Sequence, residues 1–123
     1  MSVIGPDFIS LQVSDLEGSA EFLSTLSWTR PFAGGPASCG GFFDTKPIAF
    51  ALRDLMPGVE LSRGTQPGLG VALWLYAPDT QDIHDKLAAA GVKITSAPID
   101  GPFGRTFTFA DPDGYLITLH SKG

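Results

Sequence analysis

Residues able to do acid–base, nucleophilic or metal chemistry are few in this chain. The 123 residues include two histidines, His84 and His120, and one cysteine, Cys39. A single cysteine excludes an internal disulfide, and we interpret Cys39 as a small buried residue. His84 stands between Asp82 and Asp85 on a predicted helix, at a phase that indicates the solvated side. Because no nucleophile motif, phosphate loop or CxxC is present, no catalytic residue is predicted.

Aromatic and polar side chains on predicted strands form the better candidate site. Alternation in F-I-S-L-Q-V, residues 8–13, separates Phe8 from the aliphatic face of that strand. Alternation in G-V-A-L-W-L-Y, residues 70–76, separates Trp74 from two leucines that take the helix-facing side. Trp74 is therefore expected to stack on a ligand, since aromatic faces with a few hydroxyls and amides are typical of small-molecule pockets.

The predicted binding residues share one expected location, a cleft lined by the open faces of the strands. Arg105 follows a glycine-rich loop and is a candidate for holding an anionic group. His120 shares a strand face with Thr118 and is expected at the cleft mouth, while Tyr115 or Phe107 is expected near an edge. The full predicted set is Phe8, Ser10, Gln12, Ala51, Gly70, Trp74, Tyr76, Arg105, Thr118 and His120.

The elements that must position these residues are organised around the C-terminal segment G-R-T-F-T-F-A-D-P-D-G-Y-L-I-T-L-H, residues 104–120. Residues 105–109 alternate Thr and Phe, which predicts a half-buried strand. Asp111–Gly114 predicts a tight turn, because Pro presets φ, Asp side chains bond nearby backbone N–H groups and Gly tolerates positive φ. Residues 115–120 complete a predicted β-hairpin.

The two halves of the chain repeat the element order βαβββ. Helices are predicted near 16–26 and 79–90, the second with an inward stripe of Ile83, Leu87 and Ala90. The first strands lie 70 − 8 = 62 residues apart, and the hairpin turns lie 111 − 44 = 67 apart. The sequence predicts one domain over residues 1–123 that consists of module one at about 5–53, a linker at about 54–68 and module two at about 69–121. Within these modules, further strands are predicted at 28–32, 41–43, 48–53 and 92–95, with turns at 34–36 and 44–47.

The net charge of the chain limits the classes of partner that are expected. Eight Lys and Arg against 13 Asp and Glu give a net charge of −5, which argues against nucleic acid or an anionic membrane as partner and is compatible with a cationic ligand. The sequence shows no apolar run of membrane length and no signal peptide pattern, so a cytoplasmic location is expected.

The segments F-I-S-L-Q-V-S-D-L, D-I-H-D-K-L-A-A-A-G-V and the C-terminal hairpin resemble the vicinal oxygen chelate superfamily. That superfamily includes glyoxalase I, extradiol dioxygenases, fosfomycin-resistance enzymes and bleomycin-resistance proteins. The resemblance implies an α+β fold of two βαβββ modules, with paired cupped mixed sheets that are each covered by a helix. It also implies a homodimer that completes the cleft.

The same resemblance implies positions for a divalent metal. The pattern H-x-x-L-x-V-x-D would place His where this chain has Phe8, and its counterpart in module two is aligned with Gly70. The pattern D-P-D-G-x-x-I-E-L would place Glu at Thr118, whose mate at 118 − 67 = 51 is Ala51. None of the four supplies an imidazole or a carboxylate, so no metal and no cofactor are expected.

Two functions of different class follow from the sequence. The first is a metal-free binding protein, similar to the bleomycin-resistance branch, that sequesters an aromatic, cationic antibiotic or metabolite in a dimeric cleft. The alternative is an enzyme of the same superfamily, of glyoxalase, lyase or dioxygenase type, with non-standard or absent metal ligands. A stand-alone regulatory or scaffold domain is a third, weaker hypothesis.

Overall fold

The computed structural model describes residues 3–4, 6, 8–26, 42–43, 45–46, 48–61 and 66–122. It divides into two compact units, Met1–Ser62 and Arg63–Gly123. In the part of the chain that the structure describes, each unit has one helix and one mixed sheet, which confirms the predicted α+β class. Among the described residues, no helix is long and apolar enough to cross a membrane.

The described residues of the first unit form a three-stranded sheet and one helix. Strand β3 lies in the centre, parallel to β1 and antiparallel to β2. The helix starts where the sequence predicts because the Asp15 carboxylate accepts a hydrogen bond from the Gly18 N–H at 3.1 Å, and it ends at Ser24, two residues before the predicted end. The elements are β1 (Phe8–Val13), α1 (Leu16–Ser24), β2 (Phe42–Phe43) and β3 (Ala49–Asp54).

The core of the first unit follows the predicted alternation. Leu11 and Val13 of β1 are buried, and β3 buries Phe50 and Leu52. Helix α1 packs against β3 and contributes Leu16, Ala20 and Leu23. Several predictions lie outside the described residues: the strand at 28–32, the turn at 34–36, Cys39, residue 41 of the strand at 41–43, and positions 44 and 47 of the next turn.

The second unit has the complete predicted order βαβββ. Its sheet runs β4-β7-β6-β5, in which β4 is parallel to β7 and the other neighbours are antiparallel. Alternate residues of β6 and β7 face α2 and form the core: Phe107, Phe109, Ile117 and Leu119. The elements are β4 (Leu73–Tyr76), α2 (Thr80–Ala89), β5 (Ile94–Gly101), β6 (Gly104–Ala110) and β7 (Leu116–His120).

Two strands of the second unit differ from prediction. Strand β4 begins at Leu73 rather than Gly70, because residues 67–70 form a turn in which Gly70 has φ of +88° and the Val71 N–H bonds the Gly68 carbonyl. Strand β5 runs well beyond the predicted 92–95. Its register shifts around Pro98, which is tolerated because β5 is an edge strand and proline lacks a ladder donor.

The inward stripe of α2 also differs from prediction. Ala90 is exposed, and His84 is not on the solvated side: its side chain is 19% exposed and its ring meets Phe107 edge-on at a centroid distance of 5.2 Å. Thr80 and Leu87 are buried, and the predicted Ile83 and the neighbouring His84 are both half-buried. Thr80 fits a buried position because its hydroxyl donates to the Ala77 carbonyl at 2.6 Å.

The hairpin between β6 and β7 is confirmed in detail. The Asp111 Oδ1 accepts hydrogen bonds from the N–H groups of Asp113 at 3.0 Å and Tyr115 at 2.9 Å, and Gly114 adopts φ of +98°. Tyr115 is buried in this turn rather than placed at a cleft edge. Burial also raises the pKa of the Asp111 carboxyl to about 6, against the effect of its two N–H donors.

Asp111 makes stability depend on pH. An aspartate in an unfolded chain has a pKa near 3.9, so the folded protein binds this proton more tightly. Its contribution is complete below about pH 4 and is lost as pH rises through about 6, which lowers the free energy of unfolding by roughly 2–3 kcal/mol by neutral pH. We expect Asp111→Asn, which keeps an oxygen acceptor, to flatten this part of the profile in urea titrations. Asp79→Asn, at an exposed position, is the control for the loss of one charge. Equal slopes for wild type and Asp111→Asn would contradict the assignment.

Candidate functional site

The open face of the second sheet, opposite α2, gathers most of the predicted residues of module two. In the parallel pair, Trp74 lies beside Thr118 and Tyr76 beside His120. In the antiparallel pair of β6 and β7, Thr118 lies beside Thr108 and His120 lies beside Thr106. The open face therefore carries Trp74, Tyr76, Thr106, Thr108, Thr118 and His120.

Four rings on this face form what we call the aromatic cluster: Trp74, Tyr76, Phe103 and His120. His120 is central, with ring centroids 5.9 Å from Trp74, 5.9 Å from Tyr76 and 6.2 Å from Phe103. Trp74 and Phe103 also meet edge-on at 5.5 Å. The three hydrocarbon-rich rings remain 48%, 59% and 53% exposed for Trp74, Tyr76 and Phe103, so a ligand has apolar surface to cover.

Phe103 is the cluster member that the sequence analysis did not assign to the site. It lies in a two-residue turn between the paired Gly101 and Gly104, and its carbonyl accepts from the Lys122 N–H at 3.0 Å. The Arg105 N–H donates to the Ser121 hydroxyl at 2.8 Å. These bonds hold the turn against the end of β7 and bring the Phe103 ring to His120. An aromatic residue at a turn tip was the available signal, but its partner lies 120 − 103 = 17 residues away.

Some polar groups beside the rings already form hydrogen bonds within the protein. The Thr108 and Thr118 hydroxyls share a hydrogen bond of 2.7 Å. His120 places its Nδ1 3.1 Å from the Lys122 carbonyl oxygen. The surface thus combines flat apolar rings with a small number of fixed polar groups, as binding pockets for small molecules do.

Three predicted site residues of the second unit lie elsewhere. The structure does not bring Arg105 to the cluster, because its strand position faces α2; its guanidinium donates to Gln81 at 3.2 Å and to Asp100 at 3.1 Å. Phe107 points to the same side of β6 as Arg105 and is buried against His84. Gly70 lies in the turn before β4 and is not part of the strand face.

The predicted residues of the first unit lie on the open face of its own sheet, opposite α1. Phe8 is 54% exposed, and Ser10 lies beside Ala51 in the β1–β3 pair. Gln12 has a structural contact as well, because its side-chain oxygen accepts from the Met56 N–H at 3.0 Å and so ties β1 to the segment after β3.

The structure corrects the alignment of the implied metal positions. The N-caps Asp15 and Asp79 are equivalent, so the first strands are offset by 79 − 15 = 64 and not by 62. The counterpart of Phe8 is therefore 8 + 64 = 72, which is Ala72, and the alignment with Gly70 was wrong by two residues. The register agrees: Ser10 lies beside Ala51 as Trp74 lies beside Thr118.

The corrected positions do not fit a divalent metal. Phe8, Ala51, Ala72 and Thr118 offer neither imidazole nor carboxylate, the donors that such ions require. Elsewhere in the described part of the chain, no group of three or more His, Cys, Asp or Glu residues is arranged to hold an ion.

Comparison with known proteins agrees with this fold. The family model for the Glyoxalase/Bleomycin resistance protein/Dioxygenase superfamily matches residues 5–119, and the chain belongs to that superfamily. Among solved structures, it is similar to TnmS3, an antibiotic binding protein from Streptomyces sp. CB03234, at 26% identity and a TM-score of 0.73, over 100% of this chain and 99% of that one.

Two further structures extend the comparison. A superfamily member from Sphaerobacter thermophilus DSM 20745 is 25% identical, with a TM-score of 0.67 over 96% of this chain and 97% of that one. The fosfomycin resistance protein FosX from Listeria monocytogenes, in complex with Mn(II) and 1S,2S-dihydroxypropylphosphonic acid, is 20% identical, with a TM-score of 0.69 over 99% and 93%. The latter likeness is one of fold alone. No match was found among the curated proteins.

Gly104 allows a direct test of how the cluster is positioned. It has φ of +81°, and a Cβ there would meet the Ser121 hydroxyl and lie 3.0 Å from the Lys122 nitrogen. Gly104→Ala should lower the free energy of unfolding by roughly 1–3 kcal/mol and displace Phe103. Gly91→Ala is the matched control, since Gly91 has φ of +83° with nothing within 4 Å. Denaturant titration and the Phe103–Trp74 nuclear Overhauser effects report the two consequences; an unchanged Phe103–Trp74 contact in Gly104→Ala would contradict the proposed positioning.

Proposed function

We propose that this protein is a metal-independent binding protein that takes up a flat aromatic small molecule, such as an antibiotic or a metabolite, on the aromatic cluster. The observation that carries the proposal is the cluster itself: three half-exposed rings around His120 on an open sheet face. Indole and phenyl surfaces stack on aromatic ligands and gain further from covering apolar area.

Two other observations support binding over catalysis. Superfamily enzymes of the glyoxalase or dioxygenase type use a divalent metal as Lewis acid, and the corresponding positions of this chain carry Phe, Ala, Ala and Thr. The likeness to TnmS3 covers the whole chain, and that protein is an antibiotic binding protein. The alternative, a superfamily enzyme with non-standard metal ligands, gains no support from the donors that the described residues bring together.

The net charge of −5 extends the proposal to ligands that carry a positive group, because an acidic protein attracts cations and repels anions. Arg105 does not oppose this, since its guanidinium is held by Asp100 and Gln81 on the helix side. The homodimer and the cytoplasmic location stay predictions from the sequence.

Trp74 should contribute a measurable part of the affinity. A thermal-shift screen of aromatic antibiotics and metabolites identifies a ligand, and calorimetry then compares variants. We expect Trp74→Ala to weaken binding about tenfold, since stacking is worth roughly 0.5–1.5 kcal/mol beyond area burial, and Trp74→Phe to lie between. Leu69→Ala removes exposed apolar surface in the turn before β4 and should leave affinity unchanged. Equal affinities in Trp74→Ala and wild type would exclude the cluster as the site.

Metal independence has its own measurement. Protein purified without added metal should contain well under one equivalent of zinc, manganese, iron or nickel by elemental analysis. Prolonged dialysis against a chelator should leave the affinity for the screened ligand unchanged, because no predicted contact passes through an ion. Stoichiometric metal, or affinity that falls on chelation and returns with one added ion, would overturn this part of the proposal.

A further inference from the structure

The hydrogen bond at His120 determines which of its ring nitrogens carries a proton. Nδ1 lies 3.1 Å from the Lys122 carbonyl oxygen, and a carbonyl oxygen only accepts. Nδ1 must therefore carry the hydrogen. In the neutral imidazole, the other nitrogen, Nε2, then has a free lone pair and acts as an acceptor.

The surroundings of His120 leave this acceptor unused within the protein. Across residues 66–122, which the structure describes without a gap, Nε2 has no hydrogen-bond partner, and the ring neighbours of His120 are Trp74, Tyr76 and Phe103. The side chain is neither buried nor fully exposed, so water can satisfy Nε2 while the site is empty. A ligand that covers the cluster displaces that water.

Covering an acceptor without replacing its hydrogen bond weakens binding by roughly fivefold or more, whereas a ligand that donates to it avoids this loss. The nearby hydroxyls of Thr106, Thr108 and Thr118 offer different chemistry, because a hydroxyl can both donate and accept and so does not require a donor from the ligand. His120 is thus placed to distinguish ligands by the presence of a donor at the edge of a flat ring.

We infer that the ligand of the aromatic cluster is an aromatic compound with a hydroxyl or ring N–H group at its edge, and that this group donates a hydrogen bond to Nε2 of His120. This inference rests on the proposed function, since it assigns specificity to the same surface. His120 is the specificity-determining residue, while Trp74, Tyr76 and Phe103 supply stacking that any flat ring can use.

A matched pair of probes tests the inference: 2-naphthol, which has the donor, and 2-methoxynaphthalene, which has the same ring system without it. Calorimetry on the full chain should show 2-naphthol bound about five- to tenfold more tightly, the ratio expected for one hydrogen bond of roughly 1 kcal/mol. Apolar burial alone would make 2-methoxynaphthalene the tighter ligand, because its methyl group adds apolar surface. Tighter binding of 2-naphthol would therefore have to come from its donor group.

Two variants assign the preference to His120. In His120→Phe, which keeps an aromatic ring in the cluster, the two probes should bind with equal affinity. In His120→Gln, whose side-chain oxygen can take the acceptor role, part of the preference should remain. Nitrogen-15 NMR of the imidazole adds a direct readout: Nδ1 should be protonated, and the Nε2 resonance should shift with 2-naphthol and not with 2-methoxynaphthalene.

The outcomes separate this inference from the proposed function. Equal binding of both probes to wild type, with both weakened by Trp74→Ala, overturns the donor requirement while the aromatic site stands. A preference for 2-naphthol that persists in His120→Phe overturns the assignment to His120. Failure of both probes to bind the wild-type chain overturns the inference together with the aromatic site on which it rests.

Discussion

Burial of alternate side chains of β6 and β7 against α2 is the constraint on which the second unit depends. Phe107 and Phe109 of β6, with Ile117 and Leu119 of β7, are almost completely inaccessible to solvent. Because successive strand residues point to opposite faces, this burial forces the intervening threonines and His120 to the open face. A shift of β7 by one residue would bury His120 and expose Leu119. The site chemistry is therefore set by the packing of the core.

The hairpin turn maintains that register, and it does so at a cost. Asp111 satisfies two backbone N–H groups that would otherwise be unpaired in a tight turn, yet burial disfavours its ionised form. The turn thus exchanges stability at neutral pH for a fixed connection between the two strands that carry Thr108, Thr118 and His120. The turn at the other end of β6 depends on the positive φ of Gly104, whose backbone lies close to Ser121.

The sequence predicts those features that depend on local periodicity and capping. The faces of Phe8, Trp74 and Thr118 follow from alternation, and the hairpin follows from its turn residues. Predictions failed where a glycine-rich segment gave no register, as at Gly70, or where a choice between helix faces depended on packing, as at His84. Arg105 illustrates a third cause: counting outward from Phe107 puts it on the α2 side, but its place after a glycine-rich loop suggested ligand contact. Phe103 depends on contacts distant in sequence, which no local pattern contains.

The four positions that correspond to metal ligands in the superfamily all lack metal donors in this chain. A site that had lost only one ligand would retain His or Glu side chains directed at an absent cation, and such groups are costly when buried without partners. Here all four corresponding positions are apolar or hydroxyl residues, and the hydroxyl of Thr118 is paired with that of Thr108. Among the described residues, the one buried side-chain atom without a hydrogen-bond partner is Ser19 Oγ, which lies on α1 and not on a strand face. This arrangement supports the proposed metal-independent site. The second face still presents apolar ring surface and the acceptor nitrogen of His120, and an aromatic molecule with a donor at its edge would satisfy both.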